Sequence, residues 1–163
     1  MKLAKKKAAP KTNAARILDN LKIEYELMEY PVDEEDLSAV HVAASVGLPV
    51  DMVFKTLVIR ADKDVIMCCI PGAAEVDLKK LAAISDHKRC ELVPLKDVLG
   101  LTGYIRGGCS PLGAKKAYPV FIHQSINEHE KITVSAGKRG AQLVLAPADL
   151  IKATNAVVGD VIH

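Results

Sequence analysis

Short apolar runs separated by turns fill the middle and the end of this 163-residue chain, and they constrain its fold more than any other feature. The runs at 54–60 and 65–70 are joined by residues 61–64, which predicts a β-hairpin. Helical patterns are inserted irregularly between the strand-like runs, so we predict an α+β fold with a mixed, mostly antiparallel sheet and flanking helices. The other predicted strands lie at 23–30, 89–93, 119–123, 131–135, 142–145 and 157–162.

Capping residues mark the ends of the predicted helices. Threonine and aspartate side chains can accept from the free N–H groups of a first helical turn. Proline suits that turn because it lacks an N–H group, and glycine readily ends a helix. The predicted helices follow Thr12, Asp77, Pro94 and Pro147, and another over 37–46 ends at Gly47.

Charge and aromatic content restrict the kind of partner. The net charge is +2, from 22 basic and 20 acidic residues, and aromatic residues make up 4% with no tryptophan. So mild a charge does not by itself indicate a nucleic-acid binder, and scarce aromatics argue against a platform that stacks single-stranded bases. Lysines concentrate in residues 1–11, a predicted flexible basic arm that is either a solvated tail or a non-specific phosphate contact.

Cysteine usage and hydropathy predict a cytoplasmic protein. Adjacent Cys68 and Cys69 lie in an apolar run typical of a core, and no CxxC spacing occurs, so we expect neither disulfide bonds nor a zinc site. The basic N-terminus is not followed by the apolar segment of a signal peptide. No run approaches the roughly 20 apolar residues that span a bilayer, so we expect no membrane contact.

The common catalytic motifs are absent. Gly-x-Ser-x-Gly, the Walker motif and the Rossmann Gly-x-Gly-x-x-Gly do not occur, and the histidines lack metal-ligand spacing. We therefore predict no metal and no cofactor. Any chemistry must come from positioning, from backbone N–H groups that stabilise an oxyanion, and from the substrate itself.

Three short segments carry the functional signal: glycine-rich loops at 107–113 and 135–140, and residues 54–57 at the start of an apolar run. Glycine lets a backbone approach a ligand closely, so the loops suggest a pocket walled by backbone N–H groups. Lys55 is either a lysine on the solvent face of a strand or a cation that holds a carboxylate or phosphate. Lys138 and Arg139 in the second loop are either ordinary charges of a surface turn or part of a site that binds an anion.

Four other residues near these segments have simple structural explanations. Ser110 and Ser135 are most often turn formers that bond their own backbone. Cys109 has no activating neighbour in the sequence, which favours packing over nucleophilic catalysis. Tyr30 either lines a pocket or ends a strand.

Together, segments 54–57, 107–113 and 135–140 resemble the YbaK family, free-standing relatives of the editing domain inserted in bacterial prolyl-tRNA synthetases. The resemblance implies that residues 12–163 form one editing domain with an open barrel-like sheet. It implies an enzyme, a trans-editing deacylase that cleaves the ester of mischarged Cys-tRNA(Pro), with Cys-tRNA(Cys) as a further candidate. The implied partners are the acceptor end of mischarged tRNA(Pro) and prolyl-tRNA synthetase.

The same resemblance implies a mechanism and a set of site residues. The thiol of the substrate cysteine attacks its own ester carbonyl, and a cyclic thiolactone forms and then opens. Lys55 matches the essential lysine, and Gly107 and Gly108 match a loop that holds the ester carbonyl or ribose, so these three are the expected catalytic residues. The expected substrate-binding residues are Tyr30, Phe54, Ser110, Ser135, Gly137 and Lys138.

Two other functions stay open from the sequence. One is a non-catalytic module that binds tRNA or a synthetase. The other is a deacylase for Ala-tRNA(Pro) or another small aminoacyl-tRNA. A thiol-dependent mechanism would leave Ala-tRNA(Pro) intact, so a panel of aminoacyl-tRNAs separates this function from the first. The sequence also leaves open the oligomeric state and whether water or the substrate thiol is the attacking group.

Overall fold

A computed structural model describes residues 11–163, so the predicted basic arm lies outside the described residues except for Lys11. Within this range no helix is long and apolar enough to cross a membrane. The helices are α1 (Asn13–Asn20), α2 (Ala39–Val46), α3 (Leu78–Ser85), α4 (Leu95–Thr102) and α5 (Pro147–Thr154). The strands are β1 (Glu26–Glu29), β2 (Phe54–Ala61), β3 (Asp64–Pro71), β4 (Cys90–Leu92), β5 (Val120–His123), β6 (Ile132–Ser135), β7 (Ala141–Leu145) and β8 (Val157–Gly159).

The strands form two sheets, which confirms the predicted mixed, mostly antiparallel α+β architecture. A five-stranded sheet has the order β4-β2-β3-β5-β8, and a three-stranded sheet has the order β1-β7-β6. Among the strand pairs of residues 11–163, β3–β5 and β5–β8 are parallel and the others are antiparallel. A bridge between Val53 and Thr133 joins the start of β2 to β6, so the sheets meet along this side without closing into a barrel. The segments that carry the functional signal lie beside this junction.

The predicted hairpin at 54–70 is confirmed. β2 and β3 pair in register from Phe54 with Pro71 to Ala61 with Asp64. Asp62 in the turn has a φ of 54°, a left-handed conformation that aspartate tolerates better than most residues. Its carboxylate accepts from the N–H groups of Lys88 and Arg89 at 2.9 and 3.1 Å, which ties the turn to the segment that leads into β4.

Capping chemistry explains where the helices begin and end. The Thr12 hydroxyl accepts from the N–H of Ala15 at 3.2 Å, and the Asp77 carboxylate accepts from the first turn of α3. Gly47 ends α2 with a φ of 73°, as predicted from its position. Because a side chain at this φ is strained, glycine is the favoured residue there.

The core lies on both faces of β3. Met67 and Cys69 belong to the larger apolar cluster, which also contains α1 and the three-stranded sheet. Cys68 and Ile70 point to the opposite face and pack with α3. Burial raises the pKa of the Cys69 thiol to about 12, so the predicted packing role of the adjacent cysteines is confirmed.

Two strand predictions need correction. The first predicted strand begins at Glu26 rather than at Ile23. Leu27, which the alternation predicted to be buried, is 52% exposed. Within residues 11–163, β1 pairs with β7 alone at an edge of its sheet, so Leu27 has no second flanking strand beside it. The last strand ends at Gly159 rather than at 162, and Ile162 instead forms an isolated bridge with Val76.

Candidate active site

A cleft of about 640 Å³ opens at the junction of the two sheets. The first half of β2 lies at its base, and segments before α2, around α4 and from the first glycine loop form its walls. Ser135 at the end of β6 and Gln142 of β7 close it from the three-stranded sheet. A larger groove of about 1220 Å³ lies beside α1 and β1, and Lys138 is the only predicted site residue among those that line it within 11–163. The smaller cleft is therefore the candidate site.

Lys55 brings a partly desolvated cation to this cleft. It is the second residue of β2, paired with Ile70 of β3, and its side chain is half-buried. Burial lowers the pKa of the Lys55 ammonium, and the negative charge of Glu75 partly offsets that effect. Within residues 11–163 the ammonium forms no hydrogen bond or ion pair. A cation without a protein partner in a cleft is available to an anionic or carbonyl group of a ligand.

The two glycine-rich loops are in direct backbone contact. A Cβ on Gly108 would lie 3.0 Å from the Cα of Lys138 and 3.2 Å from the nitrogen of Arg139. The Arg139 side chain also donates through Nε to the carbonyl of Arg106 at 2.7 Å. Only glycine permits this approach without displacing one loop, so the two loops form a single unit.

Gly107 presents backbone directly to the cleft. Its φ is +84°, and a Cβ there would lie 3.3 Å from the side chain of Leu37 on the other wall. A substitution would be strained and would narrow the cleft. The neighbouring Gly108 N–H is engaged with the carbonyl of Ile105 at 2.9 Å.

Turn chemistry shapes the second loop. The Ser135 hydroxyl accepts from the N–H of Gly137 at 3.1 Å, which is the turn-forming contact expected of a serine at this place. Gly137 has a φ of +103°, and a Cβ there would meet the ring of Tyr104 at 3.2 Å. The Tyr104 hydroxyl donates to the carbonyl of Leu112, so this ring connects the two loops.

The structure brings four of the nine expected site residues together around the cleft: Phe54, Lys55, Gly107 and Ser135. Gly108 and Gly137 lie in the contacts described above, and Lys138 borders the larger groove. Ser110 is fully buried, and its hydroxyl accepts from the N–H of Leu112 at 3.3 Å. Tyr30 packs beside α2, and its N–H donates to the carbonyl of Gly140.

Several cleft residues were not singled out from the sequence. Thr56 follows Lys55 directly, and its hydroxyl lies 3.6 Å from the Cys69 sulfur. Gln142 reaches the cleft because β6 and β7 pair it with Ser135, and its side-chain oxygen accepts from Thr133 at 2.8 Å. The pairing that brings Gln142 to the cleft cannot be read from the linear sequence. Thr56 could have been found there, because it lies within the segment 54–57. The remaining newly found lining residues with polar side chains are Glu35, Asp36, Ser38 and Arg106.

The cleft holds no activated nucleophile in the described part of the chain. Cys109 lines it, but burial raises the pKa of this thiol to about 11, so it is protonated at neutral pH. Cys109 also packs against two apolar clusters, as favoured by its sequence context. No histidine between residues 11 and 163 lines the cleft. The arrangement offers the Lys55 and Arg106 cations, the Glu35 and Asp36 carboxylates, small polar groups and backbone. Such groups are suited to positioning and charge stabilisation.

Known proteins are similar to this chain in sequence. The family model described as "Aminoacyl-tRNA editing domain" matches residues 33–153. An Enterococcus faecalis protein named "Putative Cys-tRNA(Pro)/Cys-tRNA(Cys) deacylase EbsC" is 46% identical over 154 residues, 94% of each chain. A "Proline--tRNA ligase" of Streptomyces griseus is 34% identical over 74 residues, 45% of this chain and 13% of the ligase.

Solved structures show the same fold at lower identity. A crystal structure described as a "putative trans-editing enzyme for prolyl tRNA synthetase" superposes with a TM-score of 0.81 at 22% identity, covering 95% of this chain and 99% of that one. The family match and the Enterococcus relative both extend over most of the chain. This protein therefore belongs to the aminoacyl-tRNA editing domain family.

Proposed function

We propose that this protein is a trans-editing deacylase that cleaves the ester of mischarged Cys-tRNA(Pro), with Cys-tRNA(Cys) as a second substrate. The name of the Enterococcus relative supports this substrate class, since 46% identity covers nearly all of both chains. Discrimination by size between proline and cysteine is worth only a few kcal/mol in the aminoacylation site of a synthetase, so a separate editing site is useful.

The observation that carries the proposal is a cleft with a half-buried lysine that forms no ion pair and with no activated protein nucleophile in residues 11–163. Such a site suits a substrate that brings its own nucleophile. The substrate cysteine does so: its sulfur forms a bond to the ester carbonyl carbon as the C–O bond to the ribose breaks. The thiol proton passes to the departing ribose oxygen, and water then opens the thiolactone to free cysteine.

We assign roles to the expected site residues on this basis. Lys55 holds the ester end of the substrate through charge, and the backbone of Gly107 lies against the ester carbonyl or the ribose. Phe54 and Ser135 bound the cleft around the aminoacyl group. Gly108, Ser110 and Gly137 keep the loops in place through the contacts described above. Tyr30 supports the second loop through its N–H bond to Gly140, and the backbone of Lys138, within that loop, packs against Gly108.

Prolyl-tRNA synthetase is the proposed protein partner. Proline–tRNA ligases contain a segment similar to this chain, which is consistent with a free-standing domain that serves the same enzyme. The mild net charge of +2 favours weak binding of tRNA alone. Docking on the synthetase would raise the effective concentration of mischarged tRNA, and this role places the protein in the cytoplasm.

A substrate panel tests the function. We expect the purified protein to release cysteine from Cys-tRNA(Pro) and to leave Ala-tRNA(Pro) and Pro-tRNA(Pro) intact, because alanine and proline carry no thiol. Release of alanine at a comparable rate would refute the thiol mechanism and favour water as the attacking group. Binding of all three tRNAs without release of any amino acid would show a non-catalytic module instead.

A further inference from the structure

Acidic residues are unevenly distributed along this chain. Residues 98–127 and 131–148 contain no aspartate or glutamate, although the whole protein has 20. These two stretches include both glycine-rich loops. The net charge of +2 therefore conceals a strong local excess of positive charge around the loops.

Four basic residues of these stretches, which we call the basic face, lie around the first glycine loop: Arg106, Lys115, Lys116 and Arg139. Arg106 lines the cleft, and its carbonyl accepts from Arg139 at 2.7 Å. The Lys115 ammonium donates to the carbonyl of Gly100 at 3.1 Å. The Lys115 side chain lies beside Gly103, with its Cγ 3.4 Å from the position of a Cβ on that glycine. Gly103 and Arg106 are three residues apart and so at most about 10 Å from each other, which places Lys115 near Arg106.

The charges of the basic face are not neutralised by the protein. Arg106, Lys115 and Lys116 are exposed and Arg139 is partly buried. No carboxylate in residues 11–163 forms an ion pair with any of the four, whereas Lys80 and Arg89 on other surfaces have acidic partners. The carboxylates of Glu35 and Asp36 also line the cleft but do not pair with Arg106. A basic surface without carboxylates at ion-pair distance suits a polyanion.

We propose that the basic face binds the phosphate backbone of the RNA whose aminoacylated 3′ end enters the cleft. The inference rests on the proposed function and adds the surface that receives the rest of the substrate. Arg106 belongs to both the cleft and the face, so a strand that ends in the cleft can contact Arg106 and continue over the face. Phosphate contacts position a nucleic acid without reading its sequence, so this face supplies affinity while the cleft recognises the aminoacyl group.

A double variant tests the face without replacing any residue that lines the cleft. Lys115→Ala/Lys116→Ala removes two of its charges, and Lys63→Ala/Lys79→Ala removes two exposed lysines from the β2–β3 turn and from α3 as the control. Binding of uncharged tRNA(Pro) is measured at 50 and 200 mM salt. Each phosphate contact multiplies the fall in affinity from 50 to 200 mM salt by about three. The fall measured for the Lys115/Lys116 variant should therefore be about tenfold smaller than the fall measured for the wild type.

Turnover of two substrates separates backbone binding from chemistry. We expect kcat/KM of the Lys115/Lys116 variant to fall about tenfold on Cys-tRNA(Pro) at low salt and to stay unchanged on cysteinyl-adenosine, which has no backbone phosphates. An equal loss on both esters, or equal losses in both double variants, would overturn the proposal. A loss seen only when prolyl-tRNA synthetase is present would also overturn it and indicate an acidic protein surface as the partner.

Two controls keep the outcomes distinct. Lys116→Glu alone leaves the Lys115 bond to α4 intact and should weaken tRNA binding if the face is correct, even if the double variant unfolds. If the wild type cleaves neither ester, the proposed function fails, and the tRNA-binding measurements still test the face independently.

Discussion

Replacing Gly108 by alanine should force the two glycine-rich loops apart. The added Cβ would lie 3.0 Å from the Cα of Lys138, 3.1 Å from its carbonyl carbon and 3.2 Å from the nitrogen of Arg139. All three atoms are backbone, so no side chain can rotate away to make room. Overpacking of this kind costs about 1–3 kcal/mol, which corresponds to a decrease in Tm of about 2–12 °C for a chain of this size.

The measurements for this prediction are thermal unfolding and deacylation of Cys-tRNA(Pro). Gly100→Ala is the matched control, because Gly100 lies inside α4 and a Cβ there meets no atom within 4 Å. Alanine is favoured over glycine in a helix by about 0.5–1 kcal/mol, so the control should gain stability and keep its turnover. We expect Gly108→Ala to lose both. An unchanged Tm together with full turnover would refute the reasoning that these loops act as one unit.

Three further predictions concern the framework. Thr12→Ala removes the N-cap of α1 and should lower the free energy of unfolding by about 0.5–2 kcal/mol in urea titrations, with no loss if the cap is unimportant. Tyr104→Phe leaves the buried carbonyl of Leu112 without its hydroxyl partner and should cost about 1–3 kcal/mol by the same measurement; an unchanged stability would contradict that contact. Backbone N–H groups, first that of Lys88, hold the pKa of Asp62 below its usual value. The stability that this shift contributes is complete above the unfolded pKa of about 3.9 and is lost as the pH falls through the folded pKa. Asp62→Asn should therefore flatten the pH dependence of the free energy of unfolding below about pH 4. An unaltered pH dependence would count against this role of Asp62.

Local patterns predicted the elements of this fold well because their causes are local. The hairpin from Phe54 to Pro71 follows from two apolar runs and a short polar turn, and the end of α2 follows from Gly47. Leu27 was misjudged because its exposure depends on β1 being an edge strand. That property belongs to the arrangement of strands and not to the alternation of residues along one of them.

The candidate site was predictable only in part for the same reason. Lys55 stood out as the single charge in an apolar run, and its half-buried position in the cleft was one of two interpretations. The contact of Gly108 with Lys138 joins loops that are 30 residues apart in the chain, so glycine content alone could not show it. Gln142 enters the cleft through its pairing with Ser135, a register that forms only in the folded sheet.

The role of Lys55 in the cleft is tested most directly by comparing deacylation of Cys-tRNA(Pro) by the wild type, Lys55→Ala and Lys63→Ala under single-turnover conditions. Both variants lose one lysine of the same hairpin, but only Lys55 lies in the cleft. We expect Lys55→Ala to fold normally and to release cysteine at least about 100-fold more slowly, because a positioned charge is removed from the reacting centre. Lys63→Ala should match the wild type. Equal rates for all three proteins would contradict the assignment of this cleft as the active site.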